Sequence, residues 1–283
     1  MASFTNFATL SYNGGTTNSN IVTGEILEAL TAVKTAVSAN YSAGDRITYA
    51  LSLVNTGTAA ITDYTVTDNL GGYTVGANTV YPLAYNAGTV RYYINGVLQA
   101  APTVTAGPPL TVTGLTVPAG GSAVLIYETT ATPVAPLATG SSITNTATIT
   151  GGGLTTPITA QATVETANSA DLTISKALSP TTVTENGQIT YMFVISNTGN
   201  TEATATGNVV VTDTFAPILR NIAVTYNGTA WTEGTNYTYN AATGVFTTLA
   251  GQITVPAATF TQNTDGTFTV TPGTATLVIT GTV

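Results

Sequence analysis

Two lysines, two aspartates and two asparagines carry the reactive chemistry of this chain. Lys34 and Lys176 are its only lysines, and each lies in frame with apolar residues at a spacing of two: Leu30, Ala32, Lys34, Ala36 and Leu172, Ile174, Lys176, Leu178. Extended backbone sends alternate side chains to opposite faces, so both lysines share a face with residues that seek a core. Asp68 is framed by Tyr64, Val66 and Leu70, and Asp213 by Val209, Val211 and Phe215. Asn145 stands with Ile143, Ala147 and Ile149, and Asn6 with Phe4, Ala8 and Leu10. Three polar residue types on core faces must satisfy one another. Burial lowers the pKa of an amine and raises that of a carboxyl, which would set a neutral, nucleophilic lysine beside an acid able to move protons. The plainer arrangement is a buried Lys–Asp ion pair with Asn as hydrogen-bond partner, an arrangement of little net stability.

Composition removes most other chemistry. The 283 residues include no His and no Cys, five basic residues and thirteen acidic ones, for a net charge of −8. A nucleophile system built on His is therefore excluded, as are zinc sites of the usual N/S type and disulfides. Five scattered cations in an acidic chain make no nucleic-acid stripe. No apolar run is long enough for a membrane-spanning helix. The N-terminus, MASFTNFATLSYNGG, has no recognisable secretory signal. The expectation is a protein that is not an enzyme, with no cofactor and no metal.

The elements that must position these residues are strands. Thr and Val recur at period two in ITYALSLVN (47–55), ITYMFVISN (189–197) and ATLVITGTV (275–283), between clusters of Gly, Asn and Pro. Asn95–Gly96, Asn227–Gly228 and Asp265–Gly266 suit tight hairpin turns. GEILEALTAV (24–33) has some helical character but reads mainly as the lead into a strand. The segment 31–70 is repeated at 172–215, with Lys34 on Lys176, Thr48–Tyr49 on Thr190–Tyr191, Asn55–Thr56–Gly57 on Asn197–Thr198–Gly199 and Asp68 on Asp213. Self-similarity of this kind means two copies of one module, here two β-sandwiches. The step from Lys to Asp is 34 residues in the first copy and 37 in the second, and the extra three fall in the turn 200–206.

The pattern K…G-x-x-I-T-Y…N-T-G…V-T-D…N-T-A-T resembles the repeat known as domain of unknown function eleven, common in bacterial and archaeal surface proteins. That resemblance implies immunoglobulin-like sandwiches in a cell-surface or appendage protein, with no particular ligand. The order Lys, Asp, Asn resembles the triad of intramolecular isopeptide bonds in Gram-positive surface proteins and pilins, in the collagen-adhesin A-type arrangement. It implies a Lys34–Asn145 bond in the first module with Asp68 as catalyst. In the second it implies a bond from Lys176 to Asn6 of a neighbouring subunit, with Asp213 as catalyst.

The neighbour enters because the second module has no Asn-bearing strand of its own in this sequence. Lys34 and Asn145 are 111 residues apart, and the same step from Lys176 reaches beyond Val283. Residues 4–11, FTNFATLS, align instead with 143–150, ITNTATIT. We therefore expect a donor strand at 1–15 carrying Phe4, Asn6, Ala8 and Leu10, a linker at 16–24, a complete sandwich at 25–165 and an incomplete one at 166–283. Docking within the same chain would stretch the leash Asn13–Gly24 to its limit of about 40 Å. Docking into a sister chain recreates the junction that already joins the two modules. That contact is head-to-tail and grows a filament. The partner is then the protein itself, and the location extracellular, on a cell or spore surface. A stalk or adhesin module of a larger surface protein is the alternative. Sequons at Asn40, Asn227 and Asn236, the aromatic residues and the Asp265 turn assign no ligand site.

Overall fold

A computed structural model describes residues 2–26 and 29–283. The chain is all-β, and one 3-10 turn (Ala205–Gly207) is the only helical element among the described residues. The chain divides into two compact units, one comprising residues to 135 and 142–165, the other residues 136–141 and 166–283.

Residues 2–26 differ from the expected strand and linker. Four short strands, β1 (Ala2–Asn6), β2 (Thr9–Tyr12), β3 (Gly15–Asn18) and β4 (Val22–Ile26), pair as β1 with β4 and β2 with β3. The segment 4–11 is thus broken at Phe7–Ala8, and the expected linker 16–24 is largely strand. The physical reason is that backbone donors and acceptors need partners, and in a single chain the following residues supply them. The region 24–33 likewise holds the end of β4 and the start of β5, while Leu27 and Glu28 lie outside the described residues.

Unit one continues with β5 (Leu30–Ala36), β6 (Asn40–Tyr41), β7 (Arg46–Asn55), β8 (Ile61–Asp68), β9 (Tyr73–Val75), β10 (Asn78–Val80), β11 (Leu83–Tyr85), β12 (Arg91–Ile94) and β13 (Val97–Leu98). It closes with β14 (Thr103–Thr105), β15 (Leu110–Val117), β16 (Ser122–Ala131), β17 (Ser142–Gly151) and β18 (Ile158–Thr166). One sheet runs β13-β12-β16-β7-β5 with β11 beside β16, and the other runs β14-β15-β8-β17-β18-β6. Alternation is clean: Ile143, Asn145, Ala147 and Ile149 of β17 are buried, as are Leu51 and Leu53 of β7. Asn95 and Gly96 both take the left-handed backbone that joins β12 to β13.

Unit two holds β19 (Leu172–Ser179), β20 (Gln188–Asn197), β21 (Thr212–Thr214), β22 (Arg220–Tyr226), β23 (Thr229–Trp231), β24 (Tyr237–Asn240), β25 (Val245–Thr248), β26 (Thr259–Gln262), β27 (Phe268–Thr271) and β28 (Gly273–Thr282). Its main sheet, β19-β20-β28-β22-β23, repeats the order of β5-β7-β16-β12-β13. The facing sheet is only β21-β25-β24, the counterpart of β8-β15-β14. Nothing among the described residues of this unit stands where β17 and β18 stand in unit one.

The repeated N-T-G is a pin. Asn55 is buried, donates through Nδ2 to the Ala59 (2.9 Å) and Pro118 (3.0 Å) carbonyls, and accepts from Gly57 N–H through Oδ1 (2.9 Å). Asn197 does the same with Thr201 (2.7 Å), Pro256 (3.0 Å) and Gly199 (2.9 Å), and also accepts from Asp171 N–H (3.0 Å). Each side chain satisfies loop backbone that no strand can reach. Replacing Asn197 with Ala strands these groups, so unit two should lose about 2–4 kcal/mol. Urea unfolding followed on Trp231, the only tryptophan, measures it.

Candidate functional site

In unit one, β5 and β8 lie in opposite sheets and their inward faces meet. Lys34 Nζ approaches Asp68 Oδ2 at 2.5 Å, with both side chains essentially inaccessible to water. Tyr127 donates its hydroxyl to the same Oδ2, and Asp68 Oδ1 accepts from Leu70 N–H at 3.0 Å. The ammonium also sits over two rings, 4.8 Å from the centre of Tyr49 and 5.8 Å from that of Tyr127. Burial pulls the Lys34 pKa down to about 8 against the opposing pull of Asp68, so the amine gives up its proton far more readily than an exposed lysine. Burial pushes the Tyr49 and Tyr127 hydroxyls up, and the Asp68 carboxylate adds to both shifts.

Asn145 is fully buried on β17, where Ala147 sits directly opposite Asp68 and Asn145 two residues along on the same face. Its amide lies near the hydroxyls of Tyr49 and Tyr127 and opposes part of their upward shift, but not in hydrogen-bonding geometry. Neither Oδ1 nor Nδ2 has a hydrogen-bond partner, and neither does Tyr49 OH. A buried amide left this way costs about 1–3 kcal/mol. Sequence reasoning named Lys34, Asp68 and Asn145 but missed the two tyrosines. Tyr49 was visible as the Tyr of the repeated I-T-Y. Tyr127 was not, because its counterpart across β20 is Ile279.

Unit two builds half of this site. Lys176 pairs with Asp213 Oδ2, and its Nζ lies 4.7 Å from the Tyr191 ring centre, 5.4 Å from Phe193 and 5.5 Å from Phe215. The environment differs sharply. The Lys176 side chain is 40% exposed and that of Asp213 17%, against 0% and 1% for Lys34 and Asp68. On β19 the same face exposes Ile174 and Leu178. Asn6 is not among the partners of Lys176; it lies exposed on β1, opposite Val22. Among the described residues no cluster of His, Cys, Asp and Glu could hold a metal ion, and no helix is long and apolar enough to cross a membrane.

No family model and no curated protein matches the chain. Solved structures do resemble it. A variant of BcpA, the major pilin subunit of Bacillus cereus, is 15% identical over 95% of this chain and 73% of its own, with a TM-score of 0.40. The pilus backbone RrgB of Streptococcus pneumoniae is 14% identical over 86% and 55%, at 0.36. The N-terminal domain of the Streptococcus gordonii adhesin Sgo0707 is 14% identical over 47% and 31%, at 0.35. These scores are low, and no role passes from those proteins to this one.

The buried amine sets a pH signature in any form of unit one whose lysine is free, such as Asn145→Ala. The folded lysine titrates near 8 and the unfolded one near 10.5. Below 8 both states hold the proton and the burial cost is felt in full. Between 8 and 10.5 the unfolded state holds more protons, so stability rises with pH. Tyrosines oppose this only near and above pH 10, where the unfolded ones ionise and buried Tyr41, held up to about 12, does not. Urea midpoints of Asn145→Ala read by tyrosine near-UV dichroism should therefore climb from pH 7.5 to 9.5; a falling midpoint contradicts the assignment.

Proposed function

We propose that this chain is the structural subunit of an extracellular filament, a pilus-like or spore- or cell-surface appendage, assembled head-to-tail. In it, N-terminal residues of one copy complete unit two of the next, and Lys–Asn isopeptide bonds seal both sites. The observation that carries this reading is the contrast between the two sites. An equivalent Lys–Asp pair, resting in both units on an aromatic floor of which Tyr49 and Tyr191 are the shared ring, is shut beneath an Asn-bearing strand in unit one and lies open in unit two, where no such strand stands among the described residues.

The chemistry follows from the closed site. Neutral Lys34 Nζ attacks Asn145 Cγ, while Asp68, hydrogen-bonded to Tyr127, moves protons between the incoming amine and the departing group. The Nζ–Cγ bond forms, the Cγ–Nδ2 bond breaks, and Nδ2 leaves as ammonia carrying one proton taken from the lysine. The unpartnered Asn145 Nδ2 leaves the core, its carbonyl stays in the new amide, and the ion pair is discharged with the ammonium's extra proton held by Asp68. Fixed positions in a dry core supply the effective concentration that such a step lacks in water. In unit two, Lys176 and Asp213 take the same roles toward Asn6 of the sister chain. The reaction runs once per site and does not turn over.

Purified protein should resist boiling in SDS as a ladder of multimers, and intact mass should fall short of the sequence mass by one ammonia per bond. Lys176→Ala and Asn6→Ala should each collapse the ladder to monomer while keeping the unit-one mass deficit, and Lys34→Ala should do the reverse. A single monomer band from the parent chain would favour a stalk module instead; full retention of both ammonia equivalents would remove the bonds.

A further inference from the structure

Unit two is open in two places. β8 is eight residues long and paired on both sides, whereas β21 keeps three residues and only β25 as a neighbour. That edge is the vacant place of β17. The second vacancy is where β18 meets β6 in unit one. There Tyr41 is buried and Glu165 N–H bonds the Ala39 carbonyl at 2.9 Å. Val183 occupies the position of Tyr41 in the repeat, and it is exposed and outside any strand. A single added strand fills the first vacancy and leaves the second.

The N-terminal region carries a matching pair of strands. β17 and β18 form a hairpin in which Asn145 faces Ala162 and Thr144 faces Thr163, with the two threonine hydroxyls 2.9 Å apart on the outer side. In the N-terminal hairpin Asn6 faces Val22 and Thr5 faces Thr23. The cross-strand partners agree to within one residue of loop length: Asn145 to Ala162 is 17 positions and Asn6 to Val22 is 16. The lead into the next strand is similar in both, with ten residues from Ala162 to Leu172 at the head of β19 and eight from Val22 to Leu30 at the head of β5. The face that holds Asn6 is apolar and uncovered. Phe4 lies so close over Gly24 that a Cβ there would stand 2.4 Å from the ring, and Phe4 and Val22 are exposed; beyond the break at Phe7–Ala8, Leu10 of β2 is exposed as well. A two-stranded hairpin with nothing on its apolar face is marginal by itself.

Resting on the proposed donation between copies, we propose that the donor is the whole hairpin, residues 2–26, which enters unit two of a second copy of this chain as the joint counterpart of β17 and β18. β1 and β2 pair along the free edge of β21, bringing Asn6 to Lys176 and Asp213. β3 and β4 cover the segment around Val183. The pairing seen within one chain is kept on assembly, not undone.

The absence of cysteine makes the test clean. Thr5 and Thr23 are opposed on the outer side, so a T5C/T23C chain can be oxidised to lock the hairpin shut without touching the inner face. Filament yield, scored by SDS-resistant multimers and electron microscopy, should agree within about twofold between oxidised and reduced forms; loss on oxidation with recovery on reduction overturns the proposal, since it would mean the first strand must leave its partner. Val22→Asp supplies the second arm, because it alters β4 alone. It should cut assembly at least tenfold, as Leu10→Asp on β2 should. Parental assembly by Val22→Asp with loss in Leu10→Asp overturns the hairpin and leaves a single-strand donor. Parental assembly by both overturns the donation itself.

Discussion

The ion pair of Lys34 and Asp68 constrains everything around it. Two opposite charges held between two sheets with no water between them are tolerable only if the pocket is complete: rings below, a tyrosine hydroxyl on the carboxylate, a backbone N–H on its other oxygen. Completeness here means both sheets and the strand that covers them. β17 lies beside β8 and shuts the site, and the cost of shutting it shows in the depressed lysine pKa and in an asparagine amide with no partner. A site of that kind holds stored electrostatic cost that forming one covalent bond would relieve.

Unit two shows the same constraint from the other side. Where no strand covers the pair, water does, and the apolar face around it stays wet. Ile174 and Leu178 on β19 are half-exposed while their counterparts on β5, Ala32 and Ala36, are smaller and better covered. Each large aliphatic side chain gains about 1.5–3 kcal/mol on full burial, so an uncovered face carrying two of them has several kcal/mol to gain from a lid. The exposed Phe4, Leu10 and Val22 of the N-terminal hairpin have a similar gain outstanding. One chain thus carries two uncovered apolar surfaces, one on the N-terminal hairpin and one on β19.

Much of this was legible in the sequence because burial at period two leaves a visible trace. The frames around Lys34, Asp68 and Asn145 each place a polar residue among apolar ones at even spacing, and the structure buries all three. The frames around Lys176 and Asp213 read the same way, yet the side chains are partly exposed, because a frame reports the face and not what covers it. The segment 16–24 was illegible for a different reason. It is rich in Thr and Asn, which alternate too little with apolar residues to declare a strand, and its pairing is set by β1 and β2. Tyr127 was hidden because only one of the two copies carries it, so the repeat gave it no echo.

Head-to-tail addition, as proposed, would have a further physical consequence. Self-complementary contacts close into dimers, whereas a contact between two different surfaces of the same chain, hairpin and open unit, leaves one of each free at every length. Growth of the proposed filament would then be limited by supply of subunits and not by symmetry. Reversible docking alone would place filament length at the mercy of concentration, since each contact dissociates at a rate set by buried area and a few hydrogen bonds. The Lys176–Asp213 pair, already assembled over its aromatic floor before any partner arrives, changes that. Docking would exclude water from the pair and close over it a dry pocket like the one around Lys34 and Asp68, so amine and target would be held together only once the strand bearing the target is seated. The order of events would thus be set by docking itself: amine and target amide would meet only in the closed joint, and a joint sealed by that bond would not come apart.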